Sequence, residues 1–216
     1  MSNQKIIKVK TLKEVHSNMH YQGCAFYLDQ KKWYYIENSI FDNCTFRNFT
    51  KFAKLDNCIF KECSATEEFC FSPSPSRKEL GEIEWPKLEG INNIVTSLSI
   101  AKCELRKFPK EVFLFRSLTR LHLEANYLEE LPEQISELKF LEVIVSSSNY
   151  LIYIPEQIGS LISLRILDLS QNQLTELPKE VQKLNSLKEL HLKNNLLNEL
   201  HKKEILSWLP NCKIFF

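Results

Sequence analysis

The most regular feature of the sequence is a pattern of hydrophobic positions that returns every 23 residues through its C-terminal half. The copy that begins at Leu118 continues with apolar side chains at Leu121, Leu123, Leu128, Leu131, Ile135 and Leu138. Pro132 interrupts this copy, and a proline inside a helix removes a hydrogen bond and clashes with the preceding turn. The alternation in the first part therefore predicts a short strand, and the proline marks the start of a second segment.

Copies of this pattern follow one another without insertions. Five of them begin at Val95, Leu118, Leu141, Leu164 and Leu187, and the fifth lacks the proline. One further step back places Trp85-Pro86 on the Leu-Pro position, so residues 80–94 are predicted to be a degenerate half-repeat that caps the array. A single copy cannot bury its own leucines, whereas stacked copies can. The sequence therefore predicts a curved parallel solenoid over residues 95–209.

The spacing L-x-x-L-x-L-x-x-[N/C]-x-L resembles the leucine-rich repeat. Its second half, Leu-Pro-x-x-Ile-x-x-Leu, resembles the 23-residue type of bacterial proteins and of intracellular scaffold proteins of eukaryotes. The ending WLPNCKIFF resembles the closing segment of bacterial members, so residues 210–216 are predicted to be a C-terminal cap. The resemblance implies an α/β-type solenoid with a curved parallel sheet and a 3₁₀ or helical convex side. The repeated asparagine is expected to hydrogen-bond turn backbone that would otherwise be buried and unpaired.

Residues 1–71 follow a different period and are predicted to form a small all-β domain. Large apolar residues recur at multiples of five positions, at Phe26, Ile36, Phe41 and Phe46, although Lys31 breaks the run. Small residues stand two places before most large ones, at Cys24, Ser39, Cys44, Ala53 and Cys58. The pattern resembles the pentapeptide-repeat family over residues 22–66, which implies a right-handed β-helix; an irregular β-meander is the alternative. Residues 72–79, which begin with SPSPS, are predicted to be a linker.

Charge and composition remove several classes of function. The formal net charge is +1, which excludes a basic footprint for nucleic acid. No apolar run has the length of a signal peptide or of a membrane span, and no glycine-rich loop could cradle a phosphate. We therefore expect no cofactor, no metal and no nucleic-acid partner. We also expect a cytoplasmic location, unless the chain is a secreted effector that uses a route unreadable in the sequence.

The seven cysteines include no C-x-x-C pair, so the sequence predicts reduced thiols without a zinc site. Cys24, Cys44, Cys58 and Cys63 fall in the inward column of small residues, where free cysteines act as small apolar side chains. A metal cluster is the alternative interpretation, and the shared column favours simple burial. Cys103 replaces the asparagine of the first copy.

Strand positions that point away from the leucine core predict the binding surface. On the concave face of the solenoid we expect the partner-binding side chains to be Arg120, His122, Glu124, Val143, Val145, Ile166, Asp168, Glu189, His191 and Lys193. Val143, Val145 and Ile166 form an apolar patch rimmed by charge, which indicates an interface. The alternative is local: Ser146 stands where a buried leucine belongs, and a slipped or bulged strand in repeat 141–163 would turn a valine inward.

Asp168 and His191 occupy the same position on neighbouring strands, so we expect them about 5 Å apart. Ser170 completes the residue types of a Ser/His/Asp triad. No oxyanion hole or pocket is indicated, however, and a solvated cross-strand pair is the favoured interpretation. Tyr127 and Tyr150 share a column just after the asparagines, and we expect them to stack along the rim of the solenoid.

A parallel solenoid offers a wide surface and few mobile elements for chemistry, so the sequence predicts a protein that is not an enzyme. We expect a non-catalytic protein–protein interaction module that binds a protein partner on the concave face. Two alternatives stay open. One is a structural or spacer protein whose binding lies in the N-terminal segment. The other is a bacterial effector that acts on a host protein, which rests on family resemblance alone.

Overall fold

A computed structural model describes residues 5–8, 10–47, 50–56, 58–66, 69–71, 88–90 and 94–216. The chain divides into two compact units. The N-terminal unit comprises Met1–Ser74 and Glu84–Ser99, and the C-terminal unit comprises Pro75–Ile83 and Ile100–Phe216. The predicted linker 72–79 and the Trp85-Pro86 pair of the predicted half-repeat lie outside the described residues.

The N-terminal unit is built from short strands that pair in parallel. In chain order they are β1 (Lys5–Lys8), β2 (Thr11–Leu12), β3 (Met19–Gln22), β4 (Ala25–Phe26), β5 (Tyr34–Glu37), β6 (Ile40–Asp42), β7 (Thr45–Phe46), β8 (Thr50–Asp56), β9 (Cys58–Lys61), β10 (Ser64–Ala65), β11 (Phe69–Phe71), β12 (Leu88–Glu89) and β13 (Ser97–Ser99). One series of neighbours is β1-β3-β6-β9-β12, a second is β2-β4-β7-β10, and a third is β5-β8-β11-β13. Each strand therefore pairs with a strand of the next coil rather than with the strand that follows it in sequence.

Aromatic side chains fill the interior of the N-terminal unit. Tyr21 lies opposite Phe41 in the strand register, and Phe41 lies opposite Phe60. Their rings stack, with centroids 5.2 Å and 4.7 Å apart. Phe26 and Phe46 form a parallel column whose centroids are 5.1 Å apart. The predicted burial of the five-residue column is confirmed at these positions, and the assignment to the pentapeptide-repeat family stays a prediction.

Three of the four predicted inward cysteines are fully buried: Cys24, Cys44 and Cys58. Each thiol donates a weak hydrogen bond to a backbone carbonyl one coil earlier, as Cys44 does to Tyr21 O at 3.5 Å. Burial raises the pKa of the Cys24 thiol, which keeps it protonated. Cys63 is only half-buried, and its hydrogen bond with Cys44 raises the pKa of Cys63. Among the described residues no group of three or more cysteine, histidine or acidic side chains could hold a metal ion.

The C-terminal unit repeats one pattern of strand, turn and short helix. Its strands are β14 (Arg120–His122), β15 (Val143–Val145), β16 (Ile166–Asp168), β17 (Glu189–His191) and β18 (Lys213–Phe215), and each pairs in parallel with the next. The 3₁₀ helices span Lys110–Leu114, Glu133–Glu137, Glu156–Ser160 and Lys179–Lys183. A proline precedes every one of them, because its fixed φ suits the entry to a helix and its missing N–H costs nothing there.

The fifth repeat lacks that proline, and an α-helix replaces the 3₁₀ segment. Helix α1 spans Glu199–Trp208. Asn198 caps its N-terminus, where the side-chain Oδ1 accepts a hydrogen bond from His201 N at 2.8 Å. The predicted 3₁₀ or helical convex side is therefore confirmed. None of the described helices is long and apolar enough to cross a membrane.

The asparagine column closes the turns that follow the strands. Asn149 Nδ2 donates to Leu123 O at 3.0 Å and to Ser146 O at 3.2 Å, and its Oδ1 accepts from Leu128 N at 3.0 Å. The residue before it, Ser148, has a φ of 57°, which turns the chain and leaves these backbone groups without ladder partners. Equivalent bonds are made by Asn126, Asn172 and Asn195. The role predicted for the asparagine is confirmed.

Candidate partner-binding face

Two rows of side chains run across β14 to β17 on the face opposite the leucine core. The strand register places Arg120, Val143, Ile166 and Glu189 in one row, and His122, Val145, Asp168 and His191 in the other. Between the rows lie Leu121, Ile144, Leu167 and Leu190, which are fully buried. Because side chains alternate across a strand, the predicted concave residues on these strands do share one face.

The third repeat keeps its register, so the alternative of a slipped strand is wrong. Ile144 lies opposite Leu121 on one side and Leu167 on the other, without a bulge. Ser146 takes the place of a leucine in the core and has no exposed surface. Among the described residues its hydroxyl Oγ has no hydrogen-bond partner, which is a local cost of this arrangement. The two valines of the strand therefore remain on the open face.

Val143, Val145 and Ile166 form the apolar centre of this face. All three are half-buried, and they are adjacent because Val143 lies opposite Ile166 in the register. We call these three residues the apolar patch. Apolar side chains on neighbouring strands contact one another, which explains why none of the three is fully exposed.

Charged and ionisable groups surround the apolar patch, and most pair along their own strand. His122 Nδ1 lies 3.7 Å from Glu124 Oε2, and His191 Nε2 lies 3.1 Å from Glu189 Oε2. Glu124 Oε2 is buried and makes no hydrogen bond in the part of the chain that the structure describes. Lys193 is exposed at the far side of the face.

Asp168 and His191 lie directly opposite each other, as predicted, but their hydrogen bonds go elsewhere. Asp168 Oδ1 accepts from Ser170 N at 2.9 Å and from Ser170 Oγ at 2.7 Å. His191 is held by Glu189 of its own strand. A catalytic triad needs the serine to donate to the histidine, whereas here the serine donates to the aspartate. The arrangement therefore positions a carboxylate and does not activate a nucleophile.

Phe215 extends the row of His122, Val145, Asp168 and His191 by one strand. It was not among the binding residues predicted from the sequence. It lies opposite His191 in the register of β17 and β18. The two rings stack with centroids 4.3 Å apart and planes inclined by 15°. The alternation of KIF after the last helix was the available signal, since it places Lys213 and Phe215 on one face of a short strand.

The two predicted rim tyrosines do stack. The ring centroids of Tyr127 and Tyr150 are 5.8 Å apart and their planes are inclined by 11°. Both side chains lie just after the asparagine column, outside the strands, so they flank the concave face and are not part of it.

Comparison with known sequences and structures supports this architecture. Residues 163–184 match the family model described as Leucine Rich Repeat. The chain has a leucine-rich-repeat fold. A leucine-rich-repeat protein of Leptospira interrogans is similar over 91% of this chain and 54% of its own length, with 24% identity and a TM-score of 0.55. An internalin of Listeria monocytogenes is similar over 92% of this chain and 74% of its own, with 14% identity and a TM-score of 0.52.

These similarities bear on the fold and not on a partner. The chain spans about half the length of the Leptospira protein, and both structures are less than 25% identical to it. No curated protein matches the chain. Leucine-rich-repeat folds are general frameworks for protein interaction, because each repeat adds one row of side chains to a continuous surface. The concave rows of this chain are therefore its candidate binding surface.

Proposed function

We propose that the chain is a non-catalytic protein–protein interaction module that binds a protein partner on the concave face of its leucine-rich repeats. The observation that carries this proposal is the apolar patch, which lies in unbroken register at the centre of that face. Interfaces concentrate apolar contact at the centre and place charged residues at the edge, which matches the groups around the patch. In this interpretation Val143, Val145 and Ile166 are the anchors.

The strands also prepare the face for binding at low entropic cost. Asp168 is already held by two hydrogen bonds from Ser170, and His191 is held between Glu189 and Phe215. Side chains that are fixed before binding lose little freedom when a partner arrives. The exposed charges of Arg120 and Lys193 are placed to steer association and select the partner.

The test is a pair of substitutions on the face, Val145→Glu and Asp168→Lys. Partners captured from the native organism by the unaltered chain are expected to be lost, because a buried charge or a reversed charge opposes the interface. Both variants should stay folded, since neither side chain belongs to the leucine core, although Asp168→Lys gives up the two hydrogen bonds from Ser170. Ile162→Glu is the matched control, because Ile162 is an exposed apolar residue beyond a 3₁₀ helix. Retention of every partner by both face variants would exclude the proposal.

A second candidate places binding in the N-terminal unit, with the repeats as a spacer. One observation favours it: Trp33 and Tyr35 are 43% and 67% exposed, unusually high values for large aromatic side chains. The double variant Trp33→Ser, Tyr35→Ser separates the two candidates. Loss of the partner by this variant, with retention by Val145→Glu, would support the spacer function. An effector function would use either surface, and capture of the partner from a host rather than from the native organism would indicate it.

A further inference from the structure

A second exposed surface lies beside the asparagine column, outside the concave face. Four large side chains from the second and third repeats are 40% to 51% exposed there: Tyr127, Tyr150, Ile152 and Tyr153. We call these four residues the aromatic rim. Soluble proteins seldom leave so many large apolar groups adjacent and exposed unless the surface binds something.

The aromatic rim is bounded on both sides by polar residues. In the first repeat the positions equivalent to Tyr150, Ile152 and Tyr153 carry Glu104, Arg106 and Lys107. In the fourth repeat the same positions carry Gln173, Thr175 and Glu176. Leu196 of the fifth repeat, in the column of Tyr127 and Tyr150, is also apolar and exposed, but Gln173 separates it from the aromatic rim. The contiguous cluster therefore lies in two neighbouring repeats and does not recur in every repeat. A structural requirement would recur in every repeat, whereas a binding site is local.

Carboxylates line the aromatic rim. Glu129, Glu130, Glu133 and Glu156 are exposed around it, and within the described residues none of them forms an ion pair. The Tyr153 hydroxyl donates a hydrogen bond to Glu130 Oε2, which holds that carboxylate beside the ring and raises the pKa of Tyr153. The second oxygen, Oε1, remains able to accept a hydrogen bond from a ligand.

We propose that the aromatic rim binds an arginine-bearing, otherwise apolar segment of a protein partner. An arginine guanidinium stacks on the face of a tyrosine ring and at the same time forms paired hydrogen bonds with a carboxylate. Tyr153 and the Glu130 carboxylate that its hydroxyl binds offer both contacts side by side, and the stacked pair of Tyr127 and Tyr150 adds further ring surface. Ile152, which is 51% exposed in the same segment as Tyr150 and Tyr153, accepts an apolar neighbour of the arginine.

Charge also decides against other partners of this surface. The four carboxylates repel nucleic acid and anionic membranes, which carry negative charge. Arg106 and Lys107 lie in the first repeat, next to the aromatic rim, and their positive charges repel the arginine of the bound segment. The segment is therefore directed towards the third and fourth repeats, where Glu156 and Glu176 are exposed.

The probe is a capped peptide, acetyl-Leu-Arg-Ile-Arg-Leu-amide, titrated into the full chain at low salt. Shifts of tyrosine ring signals in NMR spectra follow its binding. The double variant Tyr127→Ser, Tyr150→Ser should bind about tenfold more weakly, because both stacking faces are lost. Glu130→Gln should weaken binding severalfold and reduce its dependence on salt. The control Phe140→Ser removes an even more exposed ring elsewhere and should leave the affinity for the peptide unchanged.

Several results would overturn the proposal. One is equal binding of a peptide that carries glutamate in place of arginine, and another is unchanged affinity in both rim variants. Should the double serine variant fail to fold, the single variants Glu130→Gln and Tyr150→Ser keep the test intact. Val145→Glu should leave the affinity for the peptide unchanged, so this surface and the concave face are tested independently.

Discussion

His191 and Phe215 stack across the last two strands of the repeat array, with ring centroids 4.3 Å apart. The contact joins the fifth repeat to the strand that follows its helix, because β18 pairs in parallel with β17 and continues its rows. In a solenoid each repeat is stabilised by its neighbour, which supplies both backbone partners and packing. Here a short strand supplies the backbone partners, and one phenyl ring covers the imidazole.

Phe215→Ala should lower the free energy of unfolding by about 1–2 kcal/mol, since a stacked and half-buried ring is lost. Urea unfolding followed by circular dichroism measures the change. Phe215→Leu is the control, because leucine keeps apolar contact and loses only the stacking. It should lower the free energy of unfolding by about half as much as Phe215→Ala. Equal stability of Phe215→Ala and the unaltered chain would mean that the packing of β18 on β17 does not depend on this ring.

Ser146→Ala should stabilise the protein. The Ser146 hydroxyl is fully buried and has no hydrogen-bond partner in the described part of the chain, so its removal should raise the free energy of unfolding by about 1 kcal/mol. The backbone bonds of this residue, which accept from Asn149 and Asn172, do not involve the side chain and should persist. Ser160→Ala is the control, because the exposed Ser160 hydroxyl already bonds to Gln157 O. A lower unfolding midpoint for Ser146→Ala would show that its hydroxyl has a partner after all.

Repetition explains what could be predicted from the sequence. Asn126, Asn149 and Asn172 stand in equivalent surroundings, so their common bonding follows from one spacing. Likewise the place of Val145 on the open face follows from alternation along a strand. The same logic fails for contacts that are made once. His191 could reach Asp168 or Glu189, and only side-chain geometry decides in favour of Glu189.

Residues that do not follow a repeated pattern were the least predictable, because no equivalent position elsewhere in the chain indicates their environment. Ser146 stands at a position where the other repeats have a leucine or an isoleucine. The sequence does not distinguish a slipped strand from a buried serine at this position, because either arrangement accommodates a small polar residue. Phe215 lies beyond the last repeat and has no earlier copy with which to compare it. In the N-terminal unit, Phe52 and Phe69 are fully buried although they fall outside the five-residue column.

Asn149→Ala should lower the free energy of unfolding by about 1–3 kcal/mol, because the buried Leu128 N would lose its partner. Leu123 O and Ser146 O would each lose one of two bonds from the asparagine column and keep the bond from Asn126 or Asn172. Urea unfolding provides the measurement. Asn185→Ala is the control, since Asn185 is exposed and its change should stay within about 0.5 kcal/mol. Similar losses in both variants would remove the argument that the asparagine column is a structural requirement.

Gly159→Ala tests how closely neighbouring 3₁₀ helices approach on the convex side. A Cβ atom at Gly159 would lie 2.4 Å from Glu180 O, a backbone atom that cannot rotate away. The two segments would have to separate, at a cost of about 1–3 kcal/mol in the free energy of unfolding.

Ser136→Ala is the control for this change, because Ser136 occupies the same position one repeat earlier and already carries a Cβ atom. Its effect should stay within about 0.5 kcal/mol. Because Gly159 lies on the convex side, the substitution should leave partner binding intact at temperatures where the variant is folded. A stable Gly159→Ala variant that has lost its partner would instead mean that the convex side takes part in binding, contrary to the proposed use of the concave face.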